Sequence, residues 1–229
     1  MAGIRDRALL LRRIPYGETS LVIHLLTAEH GRIALMARGA RRAKSPFRAS
    51  LEPLYELAVA WRPGRTGMGT LVDAGRHAAP LLDEERMLSG LELLAVAAGL
   101  FREGDAHGFD EVLAALQMLN KRPPDAGLCA AIWYLLQQSG WIGSLDHCWQ
   151  CGVAVDAGEN MGWANAQLVC QSCTGGASRV SAGLRKSIAG HMQQANVLPK
   201  KADVPLWQRM VCDVLQGHGI KYPAVMGRN

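Results

Sequence analysis

Residues 21–38 run Leu21-Val22-Ile23-His24-Leu25-Leu26-Thr27-Ala28-Glu29-His30-Gly31-Arg32-Ile33-Ala34-Leu35-Met36-Ala37-Arg38. In an extended chain Leu21, Ile23 and Leu25 share one face, and Val22, His24 and Leu26 the other. Beyond the turn at Glu29-His30-Gly31, Ile33, Leu35 and Ala37 alternate with Ala34 and Met36. A period of two on both sides of a glycine turn marks a β-hairpin, because successive strand side chains point to opposite faces. Similar signals flank it. Ala8 to Arg13 is apolar and extended in type, and Pro15-Tyr16-Gly17-Glu18 supplies a turn before Leu21. Tyr55 to Trp61 is a fourth strand, and the loop from Pro63 to Gly69 leads to a fifth at Thr70 to Ala74. Gly64, Gly67 and Gly69 belong to that hairpin loop and not to a phosphate cradle. Five short antiparallel strands predict a small barrel of the OB type; an SH3-like barrel has much the same pattern.

The period changes after Ala79-Pro80. Leu81 to Phe101, Phe109 to Asn120 and Asp125 to Ser139 carry apolar residues three and four apart, such as Leu88, Leu91 and Ala95, or Leu128, Ile132 and Leu135. Asp83, Glu84 and Glu85 form an acidic first turn, where carboxylates complement the helix dipole. Ser181 to Ala195 and Val204 to Gly217 add two more helices. The expected class is α+β: an OB-fold domain over 1–79, then an α-helical domain over 80–229 with an insertion at 145–176.

That insertion holds Cys148-Trp149-Gln150-Cys151 and Cys170-Gln171-Ser172-Cys173, 18 residues apart. Each CxxC forms a tight knuckle that points two thiolates at one place, and two knuckles close a tetrahedral Zn²⁺ site. Cys148, Cys151, Cys170 and Cys173 are the expected ligands of one structural zinc per chain, since four protein ligands leave no position for water. His147 adjoins the first pair, but the site is complete without it. Cys129 and Cys212 sit among apolar helical residues and are expected to be small buried hydrophobes.

Charge is unevenly spread. Residues 1–76 hold 13 Lys and Arg against 6 Asp and Glu, a net of +7, whereas residues 77–229 hold 12 against 14. The basic N-terminal third points to a polyanion partner. Its densest part is Arg38-Gly39-Ala40-Arg41-Arg42-Ala43-Lys44-Ser45-Pro46-Phe47-Arg48, with five cations and no acid. Gly39 and Pro46 mark a loop, and arginine forks match phosphate oxygens. Arg38, Arg41, Arg42, Lys44 and Arg48 are therefore the candidate nucleic-acid-binding residues. Phe47 is either a base-stacking ring or, more in keeping with a lone aromatic after proline, packing on the barrel. Arg5, Arg7, Arg12, Arg13 and Arg32 are candidates for extending the positive surface.

No Walker A, HExxH or GxSxG pattern occurs, and no histidine pairs with a nucleophile, so nothing argues for an enzyme. The start carries no apolar run of signal-peptide type, and no stretch reaches the roughly 18 apolar residues of a membrane span. A cytoplasmic location without membrane contact is expected, where reducing conditions suit thiolate ligands.

The chain resembles a known family, the bacterial DNA repair and recombination mediator RecO. The resemblance rests on Gly17-Glu18-Thr19-Ser20, Leu26-Thr27-Ala28-Glu29-His30-Gly31-Arg32 and the loop from Ala37 to Ser45. Leu145-Asp146-His147-Cys148-Trp149-Gln150-Cys151-Gly152 and Leu168-Val169-Cys170-Gln171-Ser172-Cys173 complete it, in the family's order. Lys221 to Asn229 matches no motif. The resemblance implies an OB-fold, a helical body and a zinc knuckle. It implies binding of single-stranded and double-stranded DNA, annealing of complementary strands, and action with RecR to load RecA onto strands coated by single-strand DNA-binding protein. The acidic C-terminal tail of that coating protein is an implied partner, and the nucleoid the implied place of action. Rival readings are a generic OB-fold RNA- or DNA-binding protein without annealing activity, a zinc-dependent nuclease and an adaptor gripping an acidic peptide. A nuclease needs an open metal position or a carboxylate site, and the sequence offers neither.

Overall fold

The computed structural model describes residues 3–64, 67–77, 79–105, 107–121, 124–176, 178–192 and 199–221. Five strands, β1 (Ile4–Tyr16), β2 (Ser20–Thr27), β3 (Gly31–Ala37), β4 (Glu56–Arg62) and β5 (Gly69–Arg76), close into a barrel in the order β1-β2-β3-β5-β4. A short helix, α1 (Phe47–Ser50), lies between β3 and β4. All neighbours pair antiparallel except β3 and β5, which run parallel at Leu35↔Gly69 and Met36↔Thr70. This corrects the expectation of an all-antiparallel barrel. An odd number of strands cannot alternate in direction around a closed ring, so one edge must be parallel. The barrel is of the OB type.

β1 is longer than the predicted Ala8 to Arg13 because it serves two neighbours. Ile4 to Leu9 pairs with β4 and Ala8 to Tyr16 with β2, and the ladder shifts at a bulge between Leu10 and Arg12. A bulge bends a strand and increases its twist, which lets one strand turn the barrel's corner. The polar run Arg5-Asp6-Arg7 hid the first half from a hydrophobic reading. Leu10, Ile23, Leu25, Leu35, Leu57, Val59 and Trp61 fill the interior. Leu9 and Leu26 are paired across β1 and β2, lie outside that cluster and are buried too.

The chain divides into two compact units, Met1–Asn120 and Lys121–Asn229. The first includes α2 (Met87–Leu100) and α3 (Phe109–Asn120), and α2 packs on β1. Arg7 lies over the Phe109 ring at 5.1 Å. Arg32 on β3 reaches the end of α2, where Nη1 donates to the carbonyls of Ala98 and Phe101 at 2.6 and 2.7 Å. A cation there satisfies carbonyls that the helix leaves open and complements its dipole. α2 buries Leu93, Leu94, Val96, Ala97 and Leu100, whereas Leu88, Leu91 and Ala95 face outward, Leu88 at 70% exposure. The helix is apolar nearly all round, so spacing alone did not choose its inner face.

The second unit is built on α4 (Pro124–Gln138), with α5 (Ala182–Met192) and α6 (Val204–Gly217) packed against it. Between α4 and α5 stands a small sheet, β7-β6-β8, of β6 (Met161–Ala164), β7 (Gln167–Val169) and β8 (Ser178–Val180). Trp133 of α4 contacts Trp163 of the sheet and Trp207 of α6, with ring centroids 6.2 and 6.5 Å apart. Edge and tilted ring contacts at this range are favourable and join sheet to helices. Cys129 is fully buried and Cys212 half-buried, where burial pushes its thiol up. No helix among the described residues is long and apolar enough to cross a membrane.

Candidate nucleic-acid interface and metal centre

The metal centre starts from a tight turn. β6 and β7 are joined by Asn165 and Ala166 at φ 50° and 57°, the paired left-handed geometry of a two-residue hairpin. β7 then delivers Cys170. Its Leu168 carbonyl accepts the Trp149 NH at 2.9 Å, tying the first knuckle to the strand. Within that knuckle Cys148 NH donates to Val153 O, and Gly152 NH to Cys148 O, both at 2.9 Å. Gly152 adopts φ +73°, which a side chain would strain. In the second knuckle Cys173 NH donates to Cys170 O at 3.0 Å. These local bonds turn sequence spacing into convergence.

The four Sγ atoms lie within 4.8 Å of one another, and Cys151 and Cys170 are 3.8 Å apart. All four cysteines are free thiols. Cys148 and Cys170 are buried, and Cys151 is exposed. His147 is outside the cluster and contacts Asp146 at 2.8 Å instead. Burial opposes a thiolate at Cys148, yet backbone hydrogen bonds at Cys170 and Cys151 outweigh it and bring that thiol down to about 6. The neighbouring Cys170 sulfur, with burial, pushes Cys173 up to about 12. Thiols this close hold protons unevenly because adjacent negative charges repel, and a shared cation removes that conflict. The group is positioned to hold one metal ion.

Arg185 of α5 steadies the hairpin from behind. It is only 4% exposed, and its guanidinium donates to the carbonyls of Leu145, Val155, Asp156 and Glu159 at 2.7 to 3.2 Å. Those four carbonyls belong to the segments flanking the first knuckle. Trp163 Nε1 adds a bond from β6 to Asp213 Oδ2 at 2.8 Å. Sequence reasoning missed Arg185; its one signal was a lone arginine between the apolar Leu184 and Ile188.

The basic loop leaves the end of β3. Arg38, Arg41, Arg42, Lys44 and Arg48 are all exposed, and among the described residues none of the five enters an ion pair. The loop is ordered by its own turns: Arg42 NH donates to Gly39 O at 3.1 Å and Ser45 NH to Arg42 O at 3.0 Å, with Gly39 at φ +68°. It is also joined to the β1–β2 turn. Arg41 NH donates to Thr19 O at 2.8 Å, and its Nη1 to Gly17 O at 2.9 Å. Beside the loop lies a groove of about 370 Å³ lined by Leu21, Ala40, Phe47 and Leu51 together with Arg13, Arg41, Arg48 and one acid, Glu52. Phe47 packs against the barrel core, in keeping with the plainer reading of that ring.

The outlying arginines divide. Arg5 and Arg12 are exposed. Arg7 pairs with Glu56 at 3.1 Å, and Arg13 donates to Leu51 O at 2.9 Å and meets Glu52 at 3.4 Å. Arg32 is spent on the end of α2, so it drops out of the positive surface.

Comparison with known proteins gives a consistent picture. The family description "Recombination protein O N terminal" matches residues 1–76, and "Recombination protein O C terminal" matches residues 81–187. The chain is 32% identical over 157 residues to a DNA repair protein RecO of Cupriavidus metallidurans, covering 67% of this chain and 52% of that protein. It is 36% identical over 145 residues to the RecO of Ralstonia nicotianae, covering 62% and 53%. A RecO of Marinobacter nauticus is 30% identical over 170 residues, covering 71% and 69%. The matched part thus spans between about half and about two thirds of these relatives' lengths.

Proposed function

The chain belongs to the recombination protein O family, and on that premise we propose that it is a DNA repair and recombination mediator that binds single-stranded and double-stranded DNA and anneals complementary strands. The observation that carries this reading is the ordered basic loop, five exposed cations without an acidic partner among the described residues. Annealing brings two polyanions together. Arg38, Arg41, Arg42, Lys44 and Arg48 hold backbone phosphates, lower the repulsion between strands and displace condensed counterions. Such contacts position the strands without reading sequence. Base pairing supplies the driving force, so no nucleotide hydrolysis is needed. We put the functional boundary at 79/80, with nucleic-acid contact in 1–79 and the tail of single-strand DNA-binding protein docking on the helical domain, 80–229. The protein acts with RecR and with the C-terminal tail of single-strand DNA-binding protein, and so assists RecA loading in the cytoplasm at the nucleoid.

The metal is assigned as Zn²⁺. A tetrahedron of zinc–thiolate bonds of about 2.3 Å has edges of about 3.8 Å, and Cys151 and Cys170 stand 3.8 Å apart. An all-sulfur tetrahedral set favours zinc or an iron–sulfur centre. With four protein ligands the ion holds the hairpin and activates no water.

The test mixes the full chain with two complementary labelled oligonucleotides, bare or coated with single-strand DNA-binding protein, without ATP. Faster duplex formation supports the mediator. Tight DNA binding without acceleration favours instead a generic OB-fold binder of DNA or RNA.

A further inference from the structure

The first unit contains six aromatic rings, Tyr16, Phe47, Tyr55, Trp61, Phe101 and Phe109. Trp61, Phe101 and Phe109 are buried, and Phe47 and Tyr55 are partly buried against the barrel core. Tyr55 is further covered by Arg76, whose guanidinium lies 4.1 Å from the ring centroid. Tyr16 is different. It is the last residue of β1, and 60% of it is exposed. An aromatic ring left in water at a strand end forgoes the burial that makes aromatics useful to a core.

Its backbone is nevertheless held. Tyr16 pairs with Ser20 across the β1–β2 hairpin, and the next residue, Gly17, accepts the Arg41 guanidinium at 2.9 Å. Two more bonds join the same turn to the basic loop, Arg41 NH to Thr19 O at 2.8 Å and Gly39 NH to Ser20 Oγ at 3.4 Å. The exposed ring and the basic loop are therefore parts of one hydrogen-bonded unit. One acid, Glu18, is exposed in the turn, against the five cations of the loop. OB-type barrels use the β1–β2 loop as one side of their nucleic-acid site. An exposed π-face on a turn bonded to an arginine-rich loop suits an unpaired base with its phosphate, because stacking holds the base while cations hold the backbone.

We infer that Tyr16 is a stacking platform for an unpaired nucleobase, and that it strengthens the hold of this surface on single strands alone. The inference rests on the DNA-binding reading above and deepens it by dividing the surface into two parts. The loop cations hold phosphates of either single or double strands. The Tyr16 ring acts only where a base is free to leave its partner, since a paired base in a duplex keeps its faces inside the stack. Arg41 is bonded to the turn that follows Tyr16, so the two parts belong to one surface.

The experiment measures anisotropy of a labelled oligothymidylate and of a mixed-sequence duplex of equal length, using the full chain, Tyr16→Ala and Tyr16→Phe. Tyr16→Ala is expected to weaken single-strand binding by about fivefold to a hundredfold, leave duplex binding within about twofold, and preserve the melting temperature of so exposed a site. Tyr16→Phe keeps the ring and is expected to bind as the parent does. Equal losses on both DNAs, or no loss on either, overturn the inference while leaving the basic loop's role standing. A parent chain that binds neither DNA overturns the DNA-binding reading itself, and this inference with it.

Discussion

Arg41 turns its guanidinium back onto the Gly17 carbonyl, 2.9 Å away, so one of the five loop cations is held at the β1–β2 turn. It therefore has two roles, anchoring the loop and presenting charge. The quadruple variant Arg38→Ala, Arg41→Ala, Arg42→Ala, Lys44→Ala is expected to bind every DNA sequence more weakly. On single strands the slope of log affinity against log salt should shallow by up to about 3, at roughly 0.7 for each phosphate no longer neutralised. A titration series across salt concentrations checks this, and an unchanged slope would move the phosphate site elsewhere.

Cys148→Ser removes the most buried of the four ligands. The expected result is loss of the bound metal and of the hairpin's cooperative melting, with DNA binding by the barrel partly retained. Metal analysis of the purified variant, with a chelator-treated parent as reference, reads the outcome. Stoichiometric zinc in Cys148→Ser would show that the tetrad is not the binding set.

Arg185→Met should be costly despite keeping a long side chain. Four backbone carbonyls lose their donor at once. Leaving buried acceptors unpaired costs on the order of 1 to 3 kcal/mol each, with partial relief where water enters, so a total loss of about 3 kcal/mol or more is expected. Urea unfolding followed by tryptophan fluorescence would reveal it. A loss under about 1 kcal/mol would mean the hairpin does not depend on this clamp.

Asp6 supplies a pH dependence. Burial opposes its charge, but hydrogen bonds from His30 and from the backbone NH groups of Glu29 and Arg7 prevail and hold the carboxyl below its usual value. A carboxyl whose folded value is depressed binds fewer protons folded than unfolded. Its stabilisation is present above the unfolded value of about 3.9 and is lost as pH falls through the folded one. Asp6→Asn should therefore be less stable than the parent at neutral pH, and the gap should close as acid protonates the parent's carboxyl. Parallel denaturation curves across pH test this, and a gap that persists into acid would assign the effect to geometry instead of charge.

Much of this protein was legible before its structure. The period-two runs at 21–27 and 32–38 locate the central hairpin, and the CxxC pairs converge as their spacing requires. Both signals are local. Strand alternation and knuckle turns depend on residues a few positions apart, whose preferences the chain carries wherever it folds.

Other features depend on which distant segments meet. The parallel β3–β5 edge follows only from closing five strands into a ring. The inner face of α2 was undetermined by a sequence apolar on every side, and the fold turned Leu88 outward. The arginines show the limit best. Arg32, Arg41 and Arg185 are the same residue type, yet Arg32 ends a helix 69 residues on, Arg41 meets a turn 24 residues back, and Arg185 clamps a carbonyl 40 residues back. A long cationic side chain takes its role from whatever acceptors the fold brings within reach. The sequence by itself therefore determined the barrel hairpin and the thiol tetrad, and only tertiary structure decided which of its charges remain free for a partner.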